Sequence, residues 1–397
     1  MLDVGCYVSA SIALEDFEEL YEAILFFSPE KEMEFEFLKA RCLFHNVQYQ
    51  LAKESFRLLL EKMEEEYWKA ECYRWLARTL LKLESQEDFR KALEYLEKAQ
   101  KYYEEKEDYS GLGDILLDFI VAYAHLNNRD KARELYRKAE VYFNKAKDRI
   151  GILRLQRKSI IFMEAKLSAP LLVKTAKTWD MLKVPHEKIM CLNNAAVQYI
   201  YLQNYDEAKK LLQEAIEESL STDNFGQVYL NNNMGLVHIM KGNKRLVRKN
   251  FQEAKKGKFR FVEQLIVDIN QSSYDFSEKG ASATASTLKE LYEKALKEGE
   301  YSYIVPTTIN WGLANLEMGK VAEGIKLLES IQDSIHEYNA YELAIWYKVL
   351  YNYYNEYHPE KQNSLEQQFG ESVNYYLSSH ATHPQVAYVT MEYWSDN

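Results

Sequence analysis

The sequence predicts an all-α protein built from repeated pairs of helices, and three observations lead to this prediction. The 397 residues contain only 6 prolines and 14 glycines, so few positions interrupt regular structure. Apolar residues recur with a period of about 3.6 residues, which is typical of a helix with one buried face. Small and large apolar residues also recur at steps of 3, 9, 4 and 3 residues. Such steps are expected where two antiparallel helices pack closely through small residues.

The clearest copy of this spacing lies in residues 192 to 215, "LNNAAVQYIYLQNYDEAKKLLQEA". Its anchors are Ala196, Tyr199, Ala208, Leu212 and Ala215. Five further sets follow the same order, one of them with three extra residues in its turn, at 40–59, 77–99, 120–139, 235–254 and 312–331. Two intervals between sets are about twice as wide as the others. Each wide interval therefore predicts one degenerate pair, near 152–180 and near 262–297.

These anchors resemble the signature of the tetratricopeptide repeat, together with the linking phrases "LNNRDKA", "LQNYDEA" and "EMGKVAEG". The spacing is longer than in the standard repeat. That longer period, with the phrase "LNNAAVQY", is similar to the repeats of kinesin light chains and of bacterial signalling proteins. The resemblance implies a right-handed α-solenoid of about eight or nine helix pairs.

The repeat pattern divides the chain into three predicted regions. Residues 1–32 form an N-terminal helical cap, 33–335 the repeat array, and 336–397 a C-terminal helix pair and cap. Within the array, "SEKGASATAST" at 277–287 is predicted to be a long hairpin loop, because it is rich in Ser, Ala and Gly. An exposed end of a repeat stack needs covering. In the last residues, this role is expected for Val386, Tyr388, Met391 and Trp394.

Composition and charge exclude several classes of protein. No apolar run is long enough to span a membrane and no signal peptide is evident, so a cytoplasmic protein is expected. The formal charge of -11 makes nucleic acid an unlikely general partner. The four cysteines show no CxxC pairing and are expected to be reduced thiols. His380 and His383 lack a third ligand at a suitable spacing, so no metal or other cofactor is predicted.

Asparagines recur at one position of the repeat and are the leading candidates for ligand contact. Asn194, Asn233 and Asn310 each stand two residues before the small anchor of the first helix. The resemblance implies that this position faces a concave groove, where an amide can pair with a peptide backbone. Alternatively, the amides brace neighbouring helices. The full set of predicted peptide-binding residues is Asn193, Asn194, Tyr229, Asn232, Asn233 and Asn310.

A basic segment lies next to these asparagines. Residues 241–260 hold nine Lys and Arg against one Glu, within a chain that is acidic elsewhere. One interpretation is a solvated helix face, and the other is a docking patch for an acidic partner, a peptide carboxylate or a phosphate. The patch is assigned to Lys244, Arg245, Arg248 and Lys249.

The sequence therefore predicts a non-enzymatic scaffold or sensor that binds a peptide or protein in its groove. One alternative is a bacterial peptide-pheromone receptor resembling the Rap, NprR and arbitrium-receptor group. Another is the sensor array of a larger signalling or defence ATPase. A third, of a different class, is a phosphatase of a response regulator, for which Gln48 and Gln50 are the candidate catalytic amides. The sequence identifies neither the ligand nor the oligomeric state.

Overall fold

The computed structural model describes residues 30–45, 48–83, 86–126, 128–161, 163–222, 226–256, 261–298, 301–332, 335 and 340–380. These residues form 18 α-helices and no strand, so the all-α prediction is confirmed. The helices follow one another as nine consecutive pairs with short connections, in agreement with the predicted eight or nine. In each pair the odd-numbered helix is called the first helix and the even-numbered helix the second. The chain divides into two compact units, with a division between residues 225 and 226.

Unit 1 contains five of the pairs, in the described residues between 30 and 222. Each helix packs against the next, and the first helices α1, α3, α5 and α7 also contact one another in sequence. A short 3₁₀ turn, Lys158–Ile161, follows α7. The helices of unit 1 are α1 Glu30–His45, α2 Tyr49–Lys62, α3 Glu66–Leu81, α4 Gln86–Glu105, α5 Tyr109–His125, α6 Arg129–Ala146, α7 Arg149–Arg157, α8 Ala165–Met181, α9 Pro185–Tyr201 and α10 Tyr205–Leu220.

Unit 2 contains the other four pairs, in the described residues between 226 and 380. Its first helices also contact one another in order, α11 with α13, α13 with α15, and α15 with α17. The helices of unit 2 are α11 Gln227–Met240, α12 Lys244–Ala254, α13 Phe261–Lys279, α14 Ala281–Glu298, α15 Tyr301–Glu317, α16 Val321–Glu329, α17 Ala340–Tyr357 and α18 Pro359–His380.

The repeated anchors are the residues through which the two helices of a pair meet. All of them are buried except Leu43, Tyr123, Tyr136 and Tyr199, which are partly buried. Small anchors allow the close approach. A Cβ atom at Gly235 of α11 would lie 3.0 Å from the Phe251 ring of α12, and one at Gly324 of α16 would lie 2.9 Å from the Gly312 carbonyl oxygen of α15. The steps of 3, 9, 4 and 3 residues thus mark the contact line within a pair.

Several turns within and between pairs use one local device, a left-handed residue followed by the N-cap of the next helix. Lys147 and Gln203 have φ angles of 55° and 57° and precede the N-caps Asp148 and Asn204. The cap side chains then accept from the backbone of the new helix, at 2.7 Å for Asp148 and 3.3 Å for Asn204. This combination explains how connections of two or three residues can reverse the chain.

The segment predicted as a long hairpin loop, 277–287, is helical on both sides of a single residue. Helix α13 continues to Lys279, Gly280 adopts a φ of 77°, and α14 begins at Ala281. The loop prediction is therefore wrong. Glycine tolerates the left-handed turn that ends α13. The start of α14 is held by Glu317 of α15, whose Oε1 accepts from the Ala281 backbone N–H at 3.1 Å.

Several predictions fall outside the described residues or stay untested. The predicted N-terminal cap up to residue 29 and the C-terminal residues 381–397, with Val386, Tyr388, Met391 and Trp394, lie outside them, and so does His383. The predicted region boundaries stay predictions.

Among the described helices, none is both long and apolar enough to cross a bilayer. Of the four cysteines, Cys42, Cys72 and Cys191 are buried free thiols, whereas Cys6 is outside the described residues.

Candidate functional site on the first helices

The two predicted amides of unit 1 lie side by side in α9. Asn193 and Asn194 are both buried, and Asn193 Nδ2 donates to Asn194 Oδ1 at 3.3 Å. Asn194 Nδ2 makes no hydrogen bond with a described residue. One turn later, Gln198 Oε1 accepts from Ser168 Oγ of α8 at 3.2 Å. The polar side of α9 therefore carries a buried amide with one of its two groups satisfied.

The predicted amides of unit 2 join three consecutive first helices. Asn232 Nδ2 of α11 donates to Asn233 Oδ1 at 3.2 Å, and Asn232 Oδ1 accepts from Asn270 Nδ2 of α13 at 3.0 Å. From α15, Asn310 Nδ2 donates to Ser273 Oγ of α13 at 2.6 Å. Asn232, Asn233 and Asn310 are all buried. These bonds support the bracing interpretation of the repeated asparagines.

Bracing does not use every amide group, so ligand contact stays a prediction. Asn310 Oδ1 is buried and makes no hydrogen bond with a described residue. Tyr229 of α11, the predicted apolar contact, is partly buried against the cluster that contains Leu265, Ile269 and Tyr303. The amide of Asn310 is thus fixed on one side by Ser273 and has its other group available for a further partner.

The predicted basic patch occupies the exposed face of α12, a second helix. Lys244, Arg245, Arg248 and Lys249 are all exposed. Lys244 Nζ lies 2.6 Å from Glu278 Oε2 of α13. Within the described part of the chain, Arg245, Arg248 and Lys249 form no ion pair. The patch and the amides therefore belong to different helices of unit 2.

Sequence reasoning missed a buried ion network on the first helices of unit 1. Arg74 Nε and Arg78 Nε of α3 each donate to the Asp118 carboxylate of α5 at 2.8 Å. Asp114 of α5 lies 3.3 Å from Arg74 Nη2 and 2.9 Å from Arg154 Nη2 of α7. The network therefore connects three consecutive first helices through groups that are largely withdrawn from solvent.

Burial and neighbouring charges shift the pKa values of Asp118, within this network, and of Lys158, next to it in the structure of unit 1. Burial alone would raise the pKa of Asp118, but the guanidinium groups of Arg78 and Arg74 hold it below its ordinary value. Beyond the end of α7, burial lowers the pKa of Lys158 well below its ordinary value, and the charge of Arg157 adds to this effect. The Asp118 carboxylate is thus stabilised in its charged form, whereas the charged ammonium form of Lys158 is destabilised.

One signal in the sequence could have revealed the network. Asp118 stands two residues before the anchor Ile120, which is the repeat position of Asn194, Asn233 and Asn310. Arg74 and Arg78 are four residues apart and so share a face of α3. The repeat position that holds Asn in later pairs holds Asp here. Asp118 bonds to the neighbouring first helix α3 and Asn310 to α13, whereas Asn233 accepts from Asn232 of its own helix.

Comparison with solved structures finds helical-repeat proteins. The structure of NprR in complex with its cognate peptide NprX matches with a TM-score of 0.57 at 13% identity, over 87% of this chain and 99% of that chain. The apo form of RapI matches with a TM-score of 0.53 at 13% identity, over 87% and 98%. A Rap protein complexed with Competence and Sporulation Factor matches with a TM-score of 0.50 at 13% identity, over 74% and 76%.

At this level of identity the comparisons show the fold and nothing finer. No protein-family model matches the sequence, and a search of curated proteins gives no match. Membership of the tetratricopeptide repeat family stays a prediction from the sequence. The chain has the fold of the helical-repeat solenoids to which NprR and the Rap proteins belong.

Proposed function

We propose that this chain is a non-enzymatic binding protein that holds a peptide, or an extended segment of a partner protein, against the first helices of unit 2. The observation that carries the proposal is the half-satisfied amide of Asn310. Its Nδ2 donates to Ser273 Oγ, whereas its buried Oδ1 makes no hydrogen bond with a described residue. An extended peptide offers a main-chain N–H at every residue except proline, which is the donor that this oxygen can accept.

The energetic argument favours a partner for this oxygen. A buried polar atom without a hydrogen bond destabilises the folded state by about 1 to 3 kcal/mol. A ligand N–H that reaches Asn310 Oδ1 would recover that free energy. Because Ser273 already fixes the amide, little side-chain entropy is lost on binding. The oxygen is shielded from solvent in the free protein, so binding is expected to displace neighbouring side chains of the first helices.

Asn194 in unit 1 supports the same mode of recognition independently. Its Oδ1 accepts from Asn193, and its buried Nδ2 makes no hydrogen bond with a described residue. This group can donate to a carbonyl oxygen of a ligand backbone. We treat it as a second, separate contact of the same kind.

Proteins of the same fold that carry ligands add support. NprR is in complex with its cognate peptide NprX, and the Rap protein is complexed with Competence and Sporulation Factor. A bacterial peptide-pheromone receptor is therefore the narrower candidate, and the sensor array of a larger protein is the alternative.

We propose no catalytic role for Gln48 and Gln50, which are exposed at the start of α2. The cytoplasmic location and the absence of a nucleic-acid partner stay predictions.

A peptide selection tests the proposal. A random-sequence peptide library displayed on phage is selected against the full chain, and the recovered peptides are synthesised and titrated by calorimetry. Hydrogen exchange with and without peptide then locates the binding surface. We expect saturable binding, with protection concentrated in α11, α13 and α15. Protection confined to the second helices α12, α14 and α16, or no peptide with saturable binding, would contradict the proposal.

A further inference from the structure

The exposed face of α12 carries several cations with no acidic residue between them. On other helices, several exposed cations pair with an acid three or four residues away, for example Arg133 with Asp130 at 3.0 Å and Lys289 with Glu293 at 3.6 Å. The segment 241–252 contains no acidic residue at all. Its cations therefore have no same-helix partner within this segment.

The cations of α12 share one face. Arg245, Arg248 and Lys249 are three and four residues apart, a spacing that places side chains next to each other on a helix. None of these three pairs with a described acidic group. Lys244 alone has an acidic partner, Glu278 of α13. Mutual repulsion among these cations is relieved when an anion binds between them.

A second observation points to a ligand at this place. Tyr274 of α13 is 4% exposed, and its hydroxyl makes no hydrogen bond with a described residue. Tyr274 stands four residues before Glu278, and the charges of Glu278, Arg248 and Lys244 all act on its hydroxyl. A buried phenol normally finds a partner. A carboxylate oxygen of a ligand that pairs with Arg248 would supply the acceptor that this hydroxyl lacks.

The acidic groups near this face are each paired with another cation. Glu278 pairs with Lys244, and Asp275 Oδ1 lies 2.9 Å from Lys279 Nζ. Glu253, four residues after Lys249 on α12, lies 2.7 Å from Lys256 Nζ. Arg245, Arg248 and Lys249 therefore have no acid paired with them in the described part of the chain. The carboxylate of Glu278 already pairs with Lys244. It therefore competes with the carboxylate of an external ligand for Lys244.

We propose that the exposed face of α12, together with the Tyr274 hydroxyl of α13, is a docking surface for an acidic segment of a partner protein, rich in Asp or Glu. Guanidinium groups suit carboxylates because they donate two parallel hydrogen bonds. The cations of this surface lie on the second helix α12 and its hydroxyl on the first helix α13. The proposal therefore rests on residues other than the amides of the proposed function and does not depend on that function.

The test uses a fluorescein-labelled glutamate-rich peptide, its glutamine-rich counterpart of the same length, and single-stranded DNA, each titrated against the full chain by fluorescence anisotropy. We expect the glutamate-rich peptide to bind, the glutamine-rich peptide not to bind, and the affinity to fall with rising salt. The double variant R245Q/R248Q should weaken binding about 5-fold or more, which is roughly the effect of two exposed ion pairs.

Three further variants separate this site from a general charge effect. Y274F removes only the hydroxyl and should weaken binding without lowering the melting temperature. E278Q releases Lys244 and should strengthen binding. K320Q/K326Q removes two exposed charges next to and on α16 and should have no effect. Equal binding of the glutamine-rich peptide, equal loss in K320Q/K326Q, or DNA binding as tight as the peptide with the same loss in R245Q/R248Q would overturn the proposal.

Discussion

Asn310 Nδ2 donates to Ser273 Oγ at 2.6 Å and so joins the first helices α15 and α13 of two consecutive pairs. The two residues are one repeat apart in the sequence. Asn270 and Asn232 make the equivalent connection between α13 and α11. A polar brace between first helices is therefore a repeated feature of unit 2, and it fixes the orientation of the amides that the proposed function uses.

The ion network of unit 1 should contribute strongly to stability. Replacing Asp118 by Ala leaves the partly buried Arg78 without its carboxylate, whereas the buried Arg74 keeps Asp114. We expect a loss of about 3 kcal/mol, at the lower end of the range for breaking a buried ion pair. Urea unfolding measures it. The matched control is Asp130→Ala, which removes an exposed partner of Arg133 and should leave the unfolding midpoint unchanged.

The pKa of Asp118 also predicts how the stability of unit 1 changes at low pH. The pKa of Asp118 is lower in the folded protein than in the unfolded chain. Its contribution is therefore fully present above the unfolded value, near pH 4, and is lost as the pH falls through the folded pKa. Thermal unfolding between pH 7 and pH 3 should show a smaller acid-dependent loss for Asp118→Asn than for the unsubstituted protein. Parallel curves for the two proteins would remove Asp118 from this role.

The Gly324 position in unit 2 distinguishes packing from helix propensity. Propensity alone predicts that Gly324→Ala stabilises α16 by roughly 1 kcal/mol. The structure predicts the opposite sign, because the new Cβ atom would lie 2.9 Å from the Gly312 carbonyl oxygen of α15. We expect a loss of about 1 to 3 kcal/mol through overpacking. A melting temperature that rises in Gly324→Ala would show that the two helices are less closely packed.

The buried thiols should be inert in the folded protein. Burial raises the pKa of Cys72 to about 12, and the neighbouring Glu71 charge adds to the effect. Burial also raises the pKa of Cys191. Because the thiolate is the reactive form, iodoacetamide at pH 8 should leave both residues unlabelled until the chain is unfolded. Peptide mass mapping with and without urea measures this directly, and labelling of folded Cys72 would contradict its burial.

The helix pairs could be predicted from the sequence because their contacts are local. Gly235 faces the Phe251 ring only 16 residues later, within a single pair, so a fixed spacing is enough to identify the contact. The break between α13 and α14 was predicted in the right place, but as a long loop over 277–287, whereas it is a single residue long. The single-residue turn depends on the left-handed conformation of Gly280 and on Glu317 from another pair. Neither can be predicted from the Ser-rich composition of the segment.

The site was harder to predict because it depends on how consecutive pairs stack. Asp118 and Arg74 are 44 residues apart, and nothing in either segment alone indicates that they meet. The asparagines were found because they repeat at one position. Their burial agrees with the bracing alternative, because the position two residues before the anchor lies between first helices. The unpaired Tyr274 hydroxyl could only emerge once α12 and α13 were packed together.

The most direct test of the central claim compares affinity and stability in Asn310→Ala, using a synthetic peptide obtained by library selection. If Asn310 contacts the ligand backbone, the variant should lose about 1 to 3 kcal/mol of binding free energy in calorimetry. Ser273→Ala, which removes only the brace, should lower the melting temperature with a smaller loss of affinity. Thr308→Ala, which removes a buried hydroxyl whose hydrogen bond stays within α15, controls for general destabilisation. Unchanged affinity in Asn310→Ala together with a lowered melting temperature would make this amide a brace alone and contradict the claim.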